Sequence, residues 1–132
     1  MSSSQQEPQI GLVVEDDPAV RELAVALLEE TDLDVAEVES ADAALAYLQQ
    51  RGGEVALIFA DVRLPGIMNG VQLAKAVCKL WPAIRIVLTS GAANTSLDGL
   101  PECVTFMPKP WRGLDVLVQA EKALHQPQPL VP

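Results

Sequence analysis

Five short strand-like segments, each separated from the next by a turn or a stretch with helical spacing, constrain this chain more than any other feature. Ile10–Val14 (IGLVV), 55–60 (VALIFA), 84–89 (IRIVLT) and 104–107 (VTFM) are mostly apolar. Apolar runs without polar alternation suit strands covered on both faces, the habit of a parallel sheet. The segment 34–39 (DVAEVE) instead alternates apolar and charged residues, as a partly exposed edge strand does.

The intervening stretches have helical spacing and helical ends. Asp17 can cap a first helix with Pro18 at its first position. Val20, Leu23, Ala24, Leu27 and Leu28 then share one inward face. Ser40 can cap a second helix, with Ala41, Ala44, Leu45 and Leu48 inward and Gly52-Gly53 at its end. A third is predicted over 71–80, with Val71, Ala74, Cys78 and Trp81 on one stripe before Pro82. Asn94, Gly99 and Pro101 predict that a fourth helix is short or absent and that the surrounding stretch is mobile. Gly113–His125 is predicted as the last helix, with Leu114, Leu117, Ala120 and Leu124 inward. Residues 1–9 read as a flexible arm, 10–125 as the domain, and 126–132 as a tail too rich in proline to stay helical.

Strands alternating with helices give an α/β fold, a doubly wound five-stranded parallel sheet of flavodoxin-like type. Right-handed crossovers and the charged second strand at an edge give the order 2-1-3-4-5. The 132 residues suit one domain. The chain is 49% hydrophobic but only 4% aromatic, so Val, Leu, Ile and Ala must build its core.

A net charge of −9 argues against nucleic acid or an anionic membrane surface as a direct partner. Ordinary solubility accounts for most of that excess, so the informative question is whether some carboxylates converge. No apolar run approaches the ~20 residues of a membrane span. The opening MSSSQQEPQ lacks the basic and apolar parts of a signal peptide, so the expected location is the cytoplasm. Cys78 and Cys103 stand 25 residues apart without a CxxC or metal-ligand spacing and read as two reduced thiols.

In a sheet of this order, ligands bind beyond the carboxyl ends of the strands, where the winding direction switches. Glu15 and Asp16 follow the first strand, Asp61 the third, Thr89 and Ser90 the fourth, and Lys109 the fifth. Each alone is commonplace: acids follow many strands, a serine is often a turn residue, and a lysine is often just solvated. Three carboxylates brought to one rim need a counter-charge, which a hard divalent cation with oxygen ligands supplies; Mg²⁺ is the common choice beside phosphate.

The motifs LVVEDDP, FADVRLPG, VLTSG and FMPKP, in this order, resemble the receiver domain of two-component response regulators, and the likeness spans essentially the whole folded chain. The resemblance implies that Asp61 is the phospho-acceptor, and that Mg²⁺ is held by Asp16, Asp61, Glu15 (directly or through water) and the Arg63 carbonyl. It implies that Lys109 pairs with the phosphoryl oxygens and that Ser90, with Thr89 as fallback, supplies a hydroxyl. Ser90 and Phe106 would form the switch pair, and Lys109–Pro110 is expected to be cis. The implied partners are a sensor histidine kinase or histidine phosphotransfer protein upstream and a protein target downstream.

Some features depart from that family's pattern. The loop PGIMNG is one residue longer than usual. Arg63 and Ala92 occupy positions that influence phosphoryl lifetime; Ala92 cannot orient a water, which predicts slow autodephosphorylation. No output domain follows the last helix, so a stand-alone receiver is expected, the alternative being a receiver excised from a hybrid histidine kinase. A degenerate receiver used purely for docking would not need all of Glu15, Asp16, Asp61, Ser90 and Lys109. A Mg²⁺-dependent phosphatase would need a general acid two residues beyond Asp61, where Arg63 stands. The expectation is therefore a switch and not an enzyme, with a redox role for the cysteines ranked last.

Overall fold

The computed structural model describes residues 9–91 and 100–125. Strands β1 (Ile10–Val14), β2 (Asp34–Val38), β3 (Val55–Asp61), β4 (Arg85–Ser90) and β5 (Val104–Pro108) form one parallel sheet in the order 2-1-3-4-5. The helices are α1 (Pro18–Leu28), α2 (Ala41–Arg51), α3 (Gly70–Leu80) and α4 (Gly113–His125), and a 3₁₀ turn, Gly52–Glu54, leads into β3. The expected fold class and strand order are those observed. The predicted arm (apart from Gln9) and tail lie outside the described residues, as does most of the stretch on which a short, mobile fourth helix was expected.

Local chemistry explains the helix starts. The Asp17 carboxylate accepts from the Ala19 and Val20 N–H groups, with Pro18 at the first helical position, and the Ser40 hydroxyl accepts from Ala43 N–H. Asn69 and Gln72 form a reciprocal capping box at the start of α3. In the loop before it, Gly66 has φ +96°, a left-handed conformation that suits glycine. Lys109–Pro110 is cis, as expected.

The sheet separates two cores. Leu12, Val14, Ile58, Ala60, Ile86 and Leu88 pack toward α2 and α3, while Val13, Leu57, Phe59 and Val87 pack toward α1 and α4. Residues such as Leu12, Leu57, Ile58 and Leu88 are fully buried, each contributing roughly 1.5–3 kcal/mol. Strand β2 is half exposed, as the edge reading requires.

Two expectations of burial fail. Leu23 is 54% exposed and Leu114 71% exposed. The buried stripes run instead through Ala24 and Leu28 on α1 and through Val116, Ala120 and Ala123 on α4. Small residues let both helices lie close to the sheet, which turns the flanking leucines outward. On α3 the expected stripe does face the core, with Ala74 buried and Val71, Cys78 and Trp81 packed half buried against it, while Gly70, Leu73 and Val77 join Ala74 as its most buried residues.

The cysteines are also not separate thiols. Cys78, in the last turn of α3, and Cys103, just before β5, are joined in a disulfide with their Cα atoms 6.5 Å apart. Sequence distance concealed this because the crossover from α3 through β4 to β5 brings the two positions back together.

Candidate functional site

The carboxyl ends of β1, β3, β4 and β5 meet at one rim. Glu15 directly follows β1, and its N–H donates to the Val38 carbonyl of β2. Asp61 ends β3, in register with Thr89, and Ser90 ends β4, in register with Pro108 of β5. The Ser90 carbonyl accepts from the Lys109 N–H at 3.0 Å, which ties the end of β4 to the start of the next turn.

Carboxylate oxygens of Glu15, Asp16 and Asp61 lie within 4.8 Å of one another. Glu15 is 4% exposed and Asp61 9% exposed, whereas Asp16 opens to solvent. Burial pushes the Glu15 carboxyl above its ordinary range. The Asp17 N–H and Lys109 pull it down, and the charge of Asp61 adds to the rise. With three carboxylates gathered against one lysine, this partly exposed set of hard oxygens keeps a net negative charge and could hold a divalent cation.

Lys109 supplies the cation native to the chain. Its Nζ lies 2.9 Å from Asp61 Oδ2 and 3.4 Å from Glu15 Oε1. Burial lowers its pKa, but the hydrogen bond to Asp61 and the charges of Asp61 and Glu15 outweigh that, so the ammonium titrates above its ordinary range. Asp61 Oδ1 accepts from the Arg63 N–H at 3.0 Å. Both oxygens of one carboxylate are therefore engaged, one by a movable ammonium and one by fixed backbone.

Thr89 and Ser90 are both buried at the rim, and Gly91 lies against the stem of Lys109. Phe106 is half buried on β5, in register with Leu88. Arg63 is exposed, while Ala92 falls outside the described residues. The structure thus gathers Glu15, Asp16, Asp61 and Lys109 directly, with the two hydroxyl residues beside them.

Two residues important to this rim were not among the candidate site residues, although Gly70 closes the turn-forming loop PGIMNG. Arg21 on α1 donates through one guanidinium nitrogen to the Glu15 carbonyl at 2.9 Å and through another to the Glu37 carboxylate at 3.0 Å. Gly70 sits against the Asp61 backbone, where a Cβ would come within 2.1 Å of the Asp61 carbonyl oxygen. Beside the rim, Val20, Leu23, Lys109, Pro110 and Trp111 border an open, mainly apolar groove of about 460 Å³. Among the described residues, no helix is long and apolar enough to cross a membrane.

The family model described as response regulator receiver domain matches residues 12–119. The sensor kinase CckA of Brucella abortus is 35% identical over 103 residues, covering 76% of this chain but only 11% of the kinase. The response regulator receiver protein CpdR of the same organism is 27% identical over 116 residues, covering 86% of this chain and 94% of CpdR. A solved CheY-like receiver domain protein from Methanospirillum hungatei superposes with a TM-score of 0.74 at 26% identity, covering 90% of this chain and 94% of the other.

Proposed function

The chain belongs to the response regulator receiver domain family, and from that premise we propose that it is a phospho-accepting switch with Asp61 as the acceptor. The observation that carries this reading is the contact of Lys109 with both Asp61 and Glu15 inside a cluster of three carboxylates.

The donor is a phosphohistidine on a sensor kinase or a phosphotransfer protein. An Asp61 oxygen attacks phosphorus, a new O–P bond forms as the P–N bond breaks, and the imidazole leaves. Glu15, Asp16, Asp61 and the Arg63 carbonyl are the residues that would hold Mg²⁺. When bound, the ion supplies charge neutralisation for the incoming phosphoryl group. Lys109 exchanges its carboxylate partner for a phosphoryl oxygen, and the Arg63 N–H keeps Asp61 oriented during attack. The Ser90 hydroxyl, or that of Thr89, donates to the phosphoryl group. Phe106 then follows Ser90, altering the surface read by a protein target. Hydrolysis of the acyl phosphate resets the switch, and the phosphodonor is the one external molecule consumed in the cycle. The proposed place of action is the cytoplasm.

The test is incubation with acetyl phosphate and Mg²⁺ followed by intact-mass measurement. One added phosphoryl group, absent without Mg²⁺ and absent in Asp61→Asn, is the expected result. An unmodified wild-type mass sinks the reading in favour of a docking module, and steady hydrolysis of a phosphate monoester such as p-nitrophenyl phosphate, which the switch does not need as a donor, favours a phosphatase.

A further inference from the structure

The Cys78–Cys103 pair links elements that the proposed switch would have to move. Cys78 lies in the last turn of α3, three residues before Trp81, and Cys103 directly precedes β5, three residues before Phe106. The chain between them carries the whole of β4, including Thr89 and Ser90. Both cysteines are half buried, Cys78 packing against the core, so neither residue is wholly sealed from solvent. A bond here ties the entrance of β5 to the end of α3.

We propose that Cys78 and Cys103 form a reversible dithiol–disulfide site that exchanges with a low-molecular-weight disulfide, and that closing it slows phosphoryl acceptance at Asp61. One protein thiolate attacks a sulfur of the small disulfide, releasing one small thiolate and forming a mixed disulfide. The second protein thiolate attacks the protein sulfur of that mixed disulfide and releases the other small thiolate. Two protein thiols are oxidised, one small disulfide is reduced to two thiols, and the two protons pass to the released thiolates. The closed bridge anchors the chain just ahead of Phe106, so the rearrangement at Ser90 and Phe106 must proceed against a fixed end. The open pair leaves that end free. The effect on Asp61 rests on the phospho-acceptor reading, whereas the thiol chemistry stands apart from it.

The experiment equilibrates the full chain, wild type and Asp61→Asn, with defined ratios of reduced and oxidised glutathione, then alkylates and weighs it. Both proteins are expected to carry either two alkyl groups or none, changing together as a two-electron couple. Thiols that stay alkylatable in excess oxidised glutathione, or bridges formed only between chains, overturn the site. The rate of Asp61 labelling by acetyl phosphate is then compared in oxidised and reduced wild type, which needs no variant. The oxidised form is expected to label about fivefold more slowly or worse, with Cys103→Ser labelling at the reduced rate under both conditions. Equal rates for the two forms overturn the control of acceptance. Failure of both forms to label overturns it too, through loss of the phospho-acceptor reading, while the alkylation masses still decide the couple.

Discussion

The Lys109 ammonium stands 2.9 Å from Asp61 Oδ2, across 48 residues of sequence. It also reaches Glu15, so one positive charge holds two carboxylates that would otherwise repel each other. Lys109→Met should slow labelling of Asp61 by acetyl phosphate about a hundredfold, the scale of removing one preorganised charge-stabilising donor. The same variant should bind Mg²⁺ more tightly, because a competing cation has gone. Opposite signs for rate and affinity identify Lys109 as a group acting on the phosphoryl transfer; an unchanged rate would refute that role.

The pH response of the metal-free protein follows from Glu15. Burial raises its pKa above the ordinary 4.5, so from that pH up to the raised value the folded chain binds more protons than the unfolded one. This group's contribution to stability therefore declines as pH rises through that window. Lys109, titrating above 10.5 because of its carboxylate partners, contributes stability that persists to alkaline pH and is lost as pH rises through its folded value. Urea midpoints for wild type minus Glu15→Gln should fall between acidic and neutral pH without Mg²⁺. Millimolar Mg²⁺ should stabilise wild type more at neutral than at acidic pH, since protons compete for the same oxygens.

Much of this was legible because period and position carry information. The stretch 55–60 announces a doubly covered strand by its unbroken apolar run, and the parallel order then places Glu15, Asp61, Ser90 and Lys109 at one rim. What stayed hidden depends on distances that only closure of the fold creates. The leucines at 23 and 114 fit an inward helical face by spacing, yet alanines at 24 and 120 set how closely α1 and α4 approach the sheet. The Cys78–Cys103 contact spans a crossover, and no local spacing encodes it. Arg21 carries no sequence signal because its acceptor is a backbone carbonyl six residues earlier.

Arg21 makes a separable prediction. Its guanidinium joins the Glu15 carbonyl to Glu37 of β2 and is only 19% exposed. By charge alone, Arg21→Gln would strengthen Mg²⁺ binding, since it removes a positive group near the acids. By geometry it should weaken binding about tenfold, because the turn presenting Glu15 and Asp16 loses its clamp. It should also cost about 1 kcal/mol of stability. Calorimetric Mg²⁺ titration decides between the two, and a gain in affinity would reduce Arg21 to a charge.

Gly70 tests how strictly the backbone under Asp61 is held. Its N–H donates to the Val62 carbonyl at 2.8 Å, and a Cβ there would meet the Asp61 carbonyl oxygen at 2.1 Å and Val62 Cα at 2.8 Å. None of those atoms belongs to a flexible side chain, so α3 or the end of β3 must move. Gly70→Ala should cost about 3 kcal/mol. The labelling rate of the folded fraction should fall at least about tenfold, because small misplacement of a nucleophile is expensive. Gly53→Ala is the control: apart from its own local backbone and chain neighbours, nothing lies within 4 Å of its Cβ position, so urea denaturation and labelling should match wild type. A Gly70→Ala protein equally stable and equally quick to label would show that the Asp61 backbone tolerates displacement, and that the acceptor is oriented by its side-chain contacts alone.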